Sequence, residues 1–141
     1  MQINIEDYIS ESLPLGDNDA AFLQRIYADG FDKYKRRIER YEFVGFENVL
    51  DAGCGFGQWS ISLAEYNEKV TAIDINKRRI EVLSEILARI GISNIQCQVS
   101  SLEKLPFEDD TFSLIFCYGV IFLTDWKKTL REFARTLKSK G

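Results

Sequence analysis

Three glycines alternate with other residues directly after an acidic side chain, in the segment Asp51-Ala52-Gly53-Cys54-Gly55-Phe56-Gly57. The apolar residues before Asp51 predict a strand, and the periodic apolar residues after Gly57 predict a helix. Glycine allows a positive φ and has no Cβ to keep a ligand away from the backbone. The first free N–H groups of the helix would point into the same loop. The segment therefore predicts a site for a nucleotide-type cofactor.

A second carboxylate, Asp74, ends the next apolar run, Val70-Thr71-Ala72-Ile73, and follows Gly57 by 17 residues. In a strand–loop–helix–strand unit with a right-handed crossover, this carboxylate lies beside the glycine loop. It can then accept hydrogen bonds from both hydroxyls of a ribose. Ile75 comes next and would offer an apolar surface to one face of adenine, with a place in the core as the alternative.

The spacing of the glycines distinguishes between classes of nucleotide cofactor. Asp-x-Gly-x-Gly-x-Gly differs from the dinucleotide fingerprint Gly-x-Gly-x-x-Gly, whose last glycine helps to seat a pyrophosphate. A carboxylate at Asp51 would also repel a diphosphate, so a nicotinamide-dependent oxidoreductase is disfavoured. Asp51 suits a nucleoside that carries an ammonium and a sulfonium, or it caps the loop by accepting backbone N–H groups.

These segments resemble the class I S-adenosylmethionine-dependent methyltransferases. The resemblance begins at Val49 with the family's first motif, continues with Asp74 in the ribose-binding position, and covers residues 49–141. It also includes Leu105–Ile115, which is similar to the approach to the family's fourth strand, and Leu137–Gly141. The resemblance implies S-adenosylmethionine as cofactor, S-adenosylhomocysteine as product and a small or medium methyl acceptor.

The resemblance also implies a set of cofactor-binding residues. Ser101 stands where the family commonly has an acidic residue that bonds the adenine amino group, and its hydroxyl can still accept one hydrogen bond. Tyr118 ends the fourth strand, where the family places groups beside the methionine and the transferred methyl, with plain packing as the alternative. The implied set is Asp51, Gly53, Cys54, Gly55, Gly57, Asp74, Ile75, Ser101, Leu102 and Tyr118.

The sequence contains no histidine, which excludes Ser-His-Asp and Cys-His catalysis and every metal site that needs imidazole. Three cysteines at wide spacings predict neither a disulfide framework nor a metal site. Methyl transfer does not always need a base, and the candidates for one are Asp125, Tyr118 or a residue beyond Gly141. No catalytic residue is therefore assigned.

Composition favours a cytoplasmic protein of one domain. The chain has 141 residues, of which 45% are hydrophobic, and it lacks both a signal-peptide pattern and an apolar run long enough to span a membrane. The cysteines Cys54, Cys97 and Cys117 are expected to be reduced and buried. A net charge of -4 disfavours nucleic acid as a partner, although basic residues cluster over 33–40, where a solvated helix face is the preferred interpretation.

The chain divides into an N-terminal helical extension, residues 1–45, and a cofactor-binding core, residues 46–141. Asp17 or Asn18 is predicted to cap a first helix, and a second apolar stripe at helical spacing follows Gly30. The extension would pack over the sheet edge or the mouth of the cofactor site. The candidates for part of a lid or for a contact with the cofactor carboxylate are Tyr8, Tyr34 and Arg37, although packing or surface roles are preferred for them.

Strands and helices alternate through the core. Asn76 is predicted to cap a helix that ends at Gly91, Ile95–Val99 is the third strand, and residues 112–117 are the fourth. Asp125 would cap the last helix. This alternation predicts an α/β fold with a parallel sheet and helices on both faces. The resemblance implies a Rossmann-like sheet with strand order 3-2-1-4.

The resembled family continues with further strands after a segment like Leu137–Gly141. The fourth strand is therefore expected to be a bare apolar edge, open to self-association, unless a missing C-terminal segment or another chain covers it. Two functions follow. The first is an S-adenosylmethionine-dependent methyltransferase, and the second is a non-catalytic or truncated S-adenosylmethionine-binding module that needs a partner chain or a missing segment.

Overall fold

Helices and strands alternate along the chain after two initial helices. A computed structural model describes residues 15–140. The short 3₁₀ turn Ile121–Leu123 precedes the last helix. The regular elements are α1 (Asp17–Tyr27), α2 (Asp32–Arg40), β1 (Asn48–Ala52), α3 (Gln58–Tyr66), β2 (Lys69–Asp74), α4 (Lys77–Ile90), β3 (Ile95–Val99), β4 (Leu114–Phe116) and α5 (Trp126–Thr136).

The four strands form one parallel sheet in the order β3-β2-β1-β4. Asp51 lies opposite Ala72 in the β1–β2 pair, and Asp74 lies opposite Val99 in the β2–β3 pair. Parallel strands end at the same edge of a sheet, so both carboxylates lie at its carboxyl edge. The predicted fold class and strand order are confirmed.

Alternate residues of β1 face the two layers of the core. Val49 and Leu50 are both fully buried, and they belong to different hydrophobic clusters. Val49 packs with Leu63 of α3 and Leu83 of α4, whereas Leu50 packs with a cluster that α5 contacts through Phe133. A parallel sheet needs such cover on both faces, and this requirement keeps β1 and its glycine loop in place.

Two predicted helix caps are present. The Asn76 side chain accepts a hydrogen bond of 3.2 Å from the Arg79 N–H, and Asp125 accepts one of 3.4 Å from the Lys128 N–H. Gly91 ends α4 in the left-handed conformation with φ +73°. These residues fix where α4 and α5 begin and where α4 turns toward β3.

Two predicted boundaries need correction. Asp17 is the first residue of α1, which has Gly16 at its N-cap and no side-chain cap, so neither Asp17 nor Asn18 caps it. β4 begins at Leu114 rather than at residue 112, because Phe112 forms a bridge with Leu137 after α5. Within residues 15–140, β4 is an edge strand, as expected.

No helix in this range combines the length and apolarity needed to cross a bilayer.

Candidate functional site

The glycine loop is tied by its backbone to the end of β2. The N–H groups of Gly53 and Cys54 both donate to the carbonyl of Ile73, at 2.9 and 2.8 Å. The Gly55 N–H donates to Asp74 Oδ2 at 2.9 Å. The loop therefore has a fixed shape, and its shape depends on the carboxylate predicted to bind ribose.

The three glycines meet different surroundings, although all have positive φ. A Cβ on Gly57, which is the N-cap of α3, would overlap Leu83, and one on Gly53 would lie 2.6 Å from Val120 Cγ2. The nearest atom to a Cβ on Gly55 is Phe22 Cε1 at 3.6 Å. A Cβ at position 53 or 57 would therefore clash with a neighbouring side chain, whereas a Cβ at position 55 would make only ordinary van der Waals contact.

A cavity of about 490 Å³ lies at the carboxyl edge of the sheet, and Gly55 is one of the residues that line it. It contacts every residue of the predicted site except Gly57, which lies against α4. The other ten lining residues were not predicted from the sequence. These are Phe22, Gln58, Trp59, Asn76, Arg79, Glu103, Gly119, Val120, Leu123 and Thr124.

Asp51 is almost completely buried, with 2% of its surface exposed. Its Oδ2 accepts a hydrogen bond of 2.6 Å from the Ser60 hydroxyl rather than from the loop backbone. Burial raises the pKa of Asp51 to about 7, the charge of Asp74 adds to the increase, and the Ser60 hydrogen bond opposes it. A cationic ligand group in the cavity would favour the ionised carboxylate.

Asp74 accepts hydrogen bonds from two backbone groups, the Gly55 N–H at Oδ2 (2.9 Å) and the Asn76 N–H at Oδ1 (2.8 Å). Only 7% of its surface is exposed, and the residue lines the cavity. Each carboxylate oxygen has two acceptor positions, so one on each oxygen stays available to a ligand hydroxyl. The two backbone contacts orient the carboxylate before any ligand binds.

Ile75, Ser101 and Leu102 lie together along the part of the cavity that follows β2 and β3. Ile75 is 77% exposed, which excludes the alternative that it belongs to the core. The Ser101 hydroxyl accepts a hydrogen bond of 3.1 Å from the Glu103 N–H. Glu103 also lines the cavity. This wall therefore contains a carboxylate two residues after Ser101, the position at which the family commonly has an acidic residue.

Tyr118 and Trp59 form another part of the wall, with ring centroids 5.1 Å apart. Arg37 lies behind them: its Nη1 donates to the Tyr118 hydroxyl at 3.4 Å, and its guanidinium lies 6.0 Å from the Trp59 ring centre. Tyr34 instead donates a buried hydrogen bond to the Ile26 carbonyl and packs between helices. Tyr8 lies outside the described residues.

The cysteines are not suited to nucleophilic catalysis. The Cys54 thiol is buried and donates to the Gly55 carbonyl at 3.7 Å, and burial raises its pKa well above the ordinary value. Burial also raises the pKa of Cys117. A protonated thiol is a weak nucleophile, so Cys54 lines the cavity without serving as a nucleophile. Asp125 is not among the lining residues, and its carboxylate caps α5.

Helix α1 covers the cavity from the N-terminal side. Its Asp19 pairs with Arg79 of α4 at 2.8 Å, and the Arg79 guanidinium lies 5.5 Å from the Phe22 ring centre. Phe22 in turn packs against Phe56 of the glycine loop, with ring centroids 5.7 Å apart. Helical spacing predicted an apolar face for α1, but it could not identify Arg79 as the residue that this face would meet.

A second cavity of about 660 Å³ shares Trp59 and Tyr118 with the first. It lies between α2 and the free side of β4, and Arg37, Arg40 and Phe116 contribute to its walls. The Trp59–Tyr118 pair is therefore a wall common to both cavities.

The fold and the cavity at the glycine loop are typical of the methyltransferase class. The chain belongs to the methyltransferase-domain family, which it matches over residues 49–141. This finding confirms the family that the glycine loop, Asp74 and the two later segments indicated.

Individual relatives agree with this assignment. The chain is 33% identical over 119 residues to the uncharacterized methyltransferase YcgJ of Bacillus subtilis, covering 84% of this chain and 47% of that protein. It is 28% identical to the ubiquinone/menaquinone biosynthesis C-methyltransferase UbiE of Geotalea daltonii, covering 85% and 54%. The chain thus spans about half the length of the curated relatives it matches.

The architecture also matches solved structures. A putative S-adenosyl-L-methionine-dependent methyltransferase from Methanococcus maripaludis superposes with a TM-score of 0.74 at 26% identity, covering 94% of this chain and 64% of that one. A SAM-dependent methyltransferase from Aquifex aeolicus gives a TM-score of 0.69 at 26% identity, covering 77% and 59%.

Proposed function

We propose that this chain binds S-adenosylmethionine in the glycine-loop cavity and that the protein transfers its methyl group to a small or medium acceptor. The observation that carries this proposal is that Asp51, Asp74 and Gly55 line the same cavity. Family membership supports the same activity. Because the chain spans about half of its relatives, the activity of the whole protein is part of the proposal.

The chemistry of the cavity fits the proposed cofactor. Buried carboxylates at Asp51 and Asp74 match an ammonium group and a pair of ribose hydroxyls. Exposed Ile75 offers an apolar surface for adenine, while the Ser101 hydroxyl and the Glu103 carboxylate are acceptors for its amino group. Gly55 lines the cavity and has no Cβ, which supports a close approach of ligand and backbone.

When bound, S-adenosylmethionine supplies a methyl group on a sulfonium; the acceptor lone pair bonds to the methyl carbon as the C–S electron pair moves to sulfur, giving S-adenosylhomocysteine. The residues of this chain contribute alignment and exclusion of water. Alignment of reacting groups can lower a barrier by about 7–11 kcal/mol. Tyr118 and Trp59 line both cavities, and we propose that the acceptor reaches the methyl group beside them.

An acceptor such as a phenol or a protonated amine must also lose a proton. Tyr118 lines the cofactor cavity and is 56% exposed, whereas Asp125 is directed to the start of α5. We therefore retain Tyr118, or a group beyond Gly141, as the candidate base, and no catalytic residue is assigned.

Calorimetric titration of the chain with S-adenosylmethionine and S-adenosylhomocysteine tests the proposal. Saturable binding that Asp74→Ala abolishes is the expected result, because this substitution removes the ribose acceptor and the anchor of the Gly55 N–H. Asp109→Ala, on the exposed surface away from the cavity, is the control. A folded chain that binds neither compound would contradict the proposal. Binding without methyl transfer to any acceptor would favour the alternative, a non-catalytic binding module.

We also propose a cytoplasmic location and self-association through β4. The free cysteines Cys54, Cys97 and Cys117 support a reducing compartment. Among residues 15–140, β4 pairs with β1 alone, and this apolar edge supports edge-to-edge pairing. Sedimentation over a range of concentrations tests the pairing, and a monomer at every concentration would contradict it.

A further inference from the structure

Three side-chain polar atoms within residues 15–140 are buried without a hydrogen-bond partner: Asn48 Oδ1, Gln58 Oε1 and Arg79 Nε. Unpaired buried polar atoms are destabilising, and folded proteins contain few of them. Gln58 and Arg79 both line the glycine-loop cavity, whereas Asn48 does not. Two of the three unpaired atoms therefore belong to side chains that border this cavity.

Gln58 is the first residue of α3 and follows the last glycine of the loop. Its Oε1 lies 4.0 Å from the position that a Cβ would occupy on Gly55, and Asp51 lines the same cavity. A carbonyl oxygen can only accept hydrogen bonds. Two acceptors near the glycine loop suit a group with several N–H donors and a positive charge, and in the proposed cofactor this group is the ammonium.

Arg79 presents the opposite polarity. Its Nη2 donates to Asp19, and its guanidinium lies 5.5 and 5.6 Å from the ring centres of Phe22 and Phe56. These contacts hold the guanidinium in place and leave the Nε–H as an unused buried donor. The Arg79 N–H bonds to Asn76, whose own N–H bonds to Asp74. The backbone of Arg79 is therefore fixed next to the turn that carries Asp74, and both residues line the same cavity.

We infer that Gln58 and Arg79 are further cofactor-recognition residues. Gln58 Oε1 accepts a hydrogen bond from the ammonium of the amino-acid part. The Arg79 Nε–H donates to an oxygen or ring nitrogen of the adenosine part. This inference rests on the proposed function, because it takes S-adenosylmethionine and its product as the ligands.

Two ligands separate the roles. S-adenosylhomocysteine has both parts, whereas 5′-methylthioadenosine keeps the adenosine and the thioether but lacks the ammonium and the carboxylate. Calorimetry on Gln58→Leu is expected to show S-adenosylhomocysteine bound about tenfold more weakly and methylthioadenosine unchanged within about twofold. Gln58→Glu keeps an acceptor and should restore most of the affinity. Gln58→Met provides a second apolar variant if the leucine variant does not fold.

Arg79→Lys keeps a positive charge for Asp19 but removes Nε. Both ligands are expected to bind about fivefold more weakly, and by the same factor, because both contain adenosine. Gln96→Leu and Arg36→Lys, at exposed positions outside the cavity, are the matched controls. Ligand-free melting curves confirm that each variant is folded.

Equal weakening of both ligands by Gln58→Leu, or no weakening of either, would overturn the assignment of Gln58. Selective weakening of S-adenosylhomocysteine by Arg79→Lys, or affinities equal to those of its control, would overturn the assignment of Arg79. A wild-type chain that binds neither ligand contradicts the proposed function itself. A wild-type chain that binds both, with variants that match their controls, contradicts only this inference.

Discussion

The Ser60 hydroxyl donates a 2.6 Å hydrogen bond to Asp51 Oδ2 and thereby links the first turn of α3 to the end of β1. These two elements flank the glycine loop. The bond stabilises the charged form of a buried carboxylate, whose pKa burial raises to about 7. The ionisation of Asp51 is thus balanced near neutral pH, where a cationic ligand group can shift it.

Removing this bond should change how cofactor binding depends on pH. In the wild type we expect the affinity for S-adenosylhomocysteine to rise between pH 6 and pH 8, as Asp51 ionises around pH 7. Ser60→Ala raises the pKa of Asp51 further, so the rise should move to higher pH. Ser62→Ala removes another buried hydroxyl of α3, one that bonds the Gln58 carbonyl, and serves as the control. Identical calorimetric profiles for the two variants would contradict the role of Ser60.

Asp51 should also make stability depend on pH. Its pKa is raised from 3.8 to about 7 in the folded state, so between these values the folded chain binds more protons than the unfolded chain. The free energy of unfolding therefore decreases as pH rises from about 4 to about 7, by on the order of 4 kcal/mol from this group. Asp51→Asn should lack this decrease and be more stable than the wild type at pH 8.

Urea unfolding at a series of pH values measures this contribution as the difference between the wild type and Asp51→Asn, which cancels the titration of other groups. Asp29→Asn, on the exposed surface, controls for the change in net charge. If the difference in free energy of unfolding between the wild type and Asp51→Asn stays constant from pH 4 to pH 8, burial does not raise the pKa of Asp51.

Glycine at position 57 is required by packing as well as by backbone conformation. Gly57→Ala introduces a Cβ that overlaps fully buried Leu83, at a position whose backbone has φ +82°. The substitution should lower the free energy of unfolding by roughly 3 kcal/mol. Gly91→Ala is the matched control, since it has φ +73° with no atom within 4 Å of the new Cβ, and should cost about 1–2 kcal/mol.

Combining Gly57→Ala with Leu83→Ala isolates the overlap. The double variant should be more stable than the sum of the two single losses predicts, by about 1 kcal/mol or more, because the smaller residue at position 83 removes the clash. Chemical denaturation of the four chains provides this value. Simple additivity would mean that backbone strain alone accounts for the cost at position 57.

The Asp19–Arg79 pair should hold α1 over the cavity. Asp19→Asn removes an ion pair whose side chains are only 25% and 32% exposed, and should make amide hydrogen exchange in α1 several-fold faster. Asp17→Asn is a close control, because Asp17 is also in the first turn of α1 and no described residue forms an ion pair with it. Equal acceleration by both substitutions would indicate a helix-dipole effect instead of the pair.

The sequence by itself determined the architecture and the place of the proposed cofactor site. Hydrophobic periodicity identified the strands, and the glycine spacing with Asp74 located the site, because parallel strands bring their carboxyl ends to one edge. The caps at Asn76 and Asp125 were also predictable, since a capping side chain acts on its own helix. These features depend on residues near in sequence or on a general rule of sheet geometry.

Only the tertiary structure decided which other side chains reach the cavity. The sequence predicted that Arg79 lies in a helix. Its contacts with α1 and the glycine loop were not predictable, because they join segments far apart in sequence. The need for glycine at position 57 comes from Leu83, and the raised pKa of Asp51 comes from burial beneath several elements. Periodicity predicts which face of an element is apolar. It does not predict what packs against that face, and packing sets both the site's electrostatics and its shape.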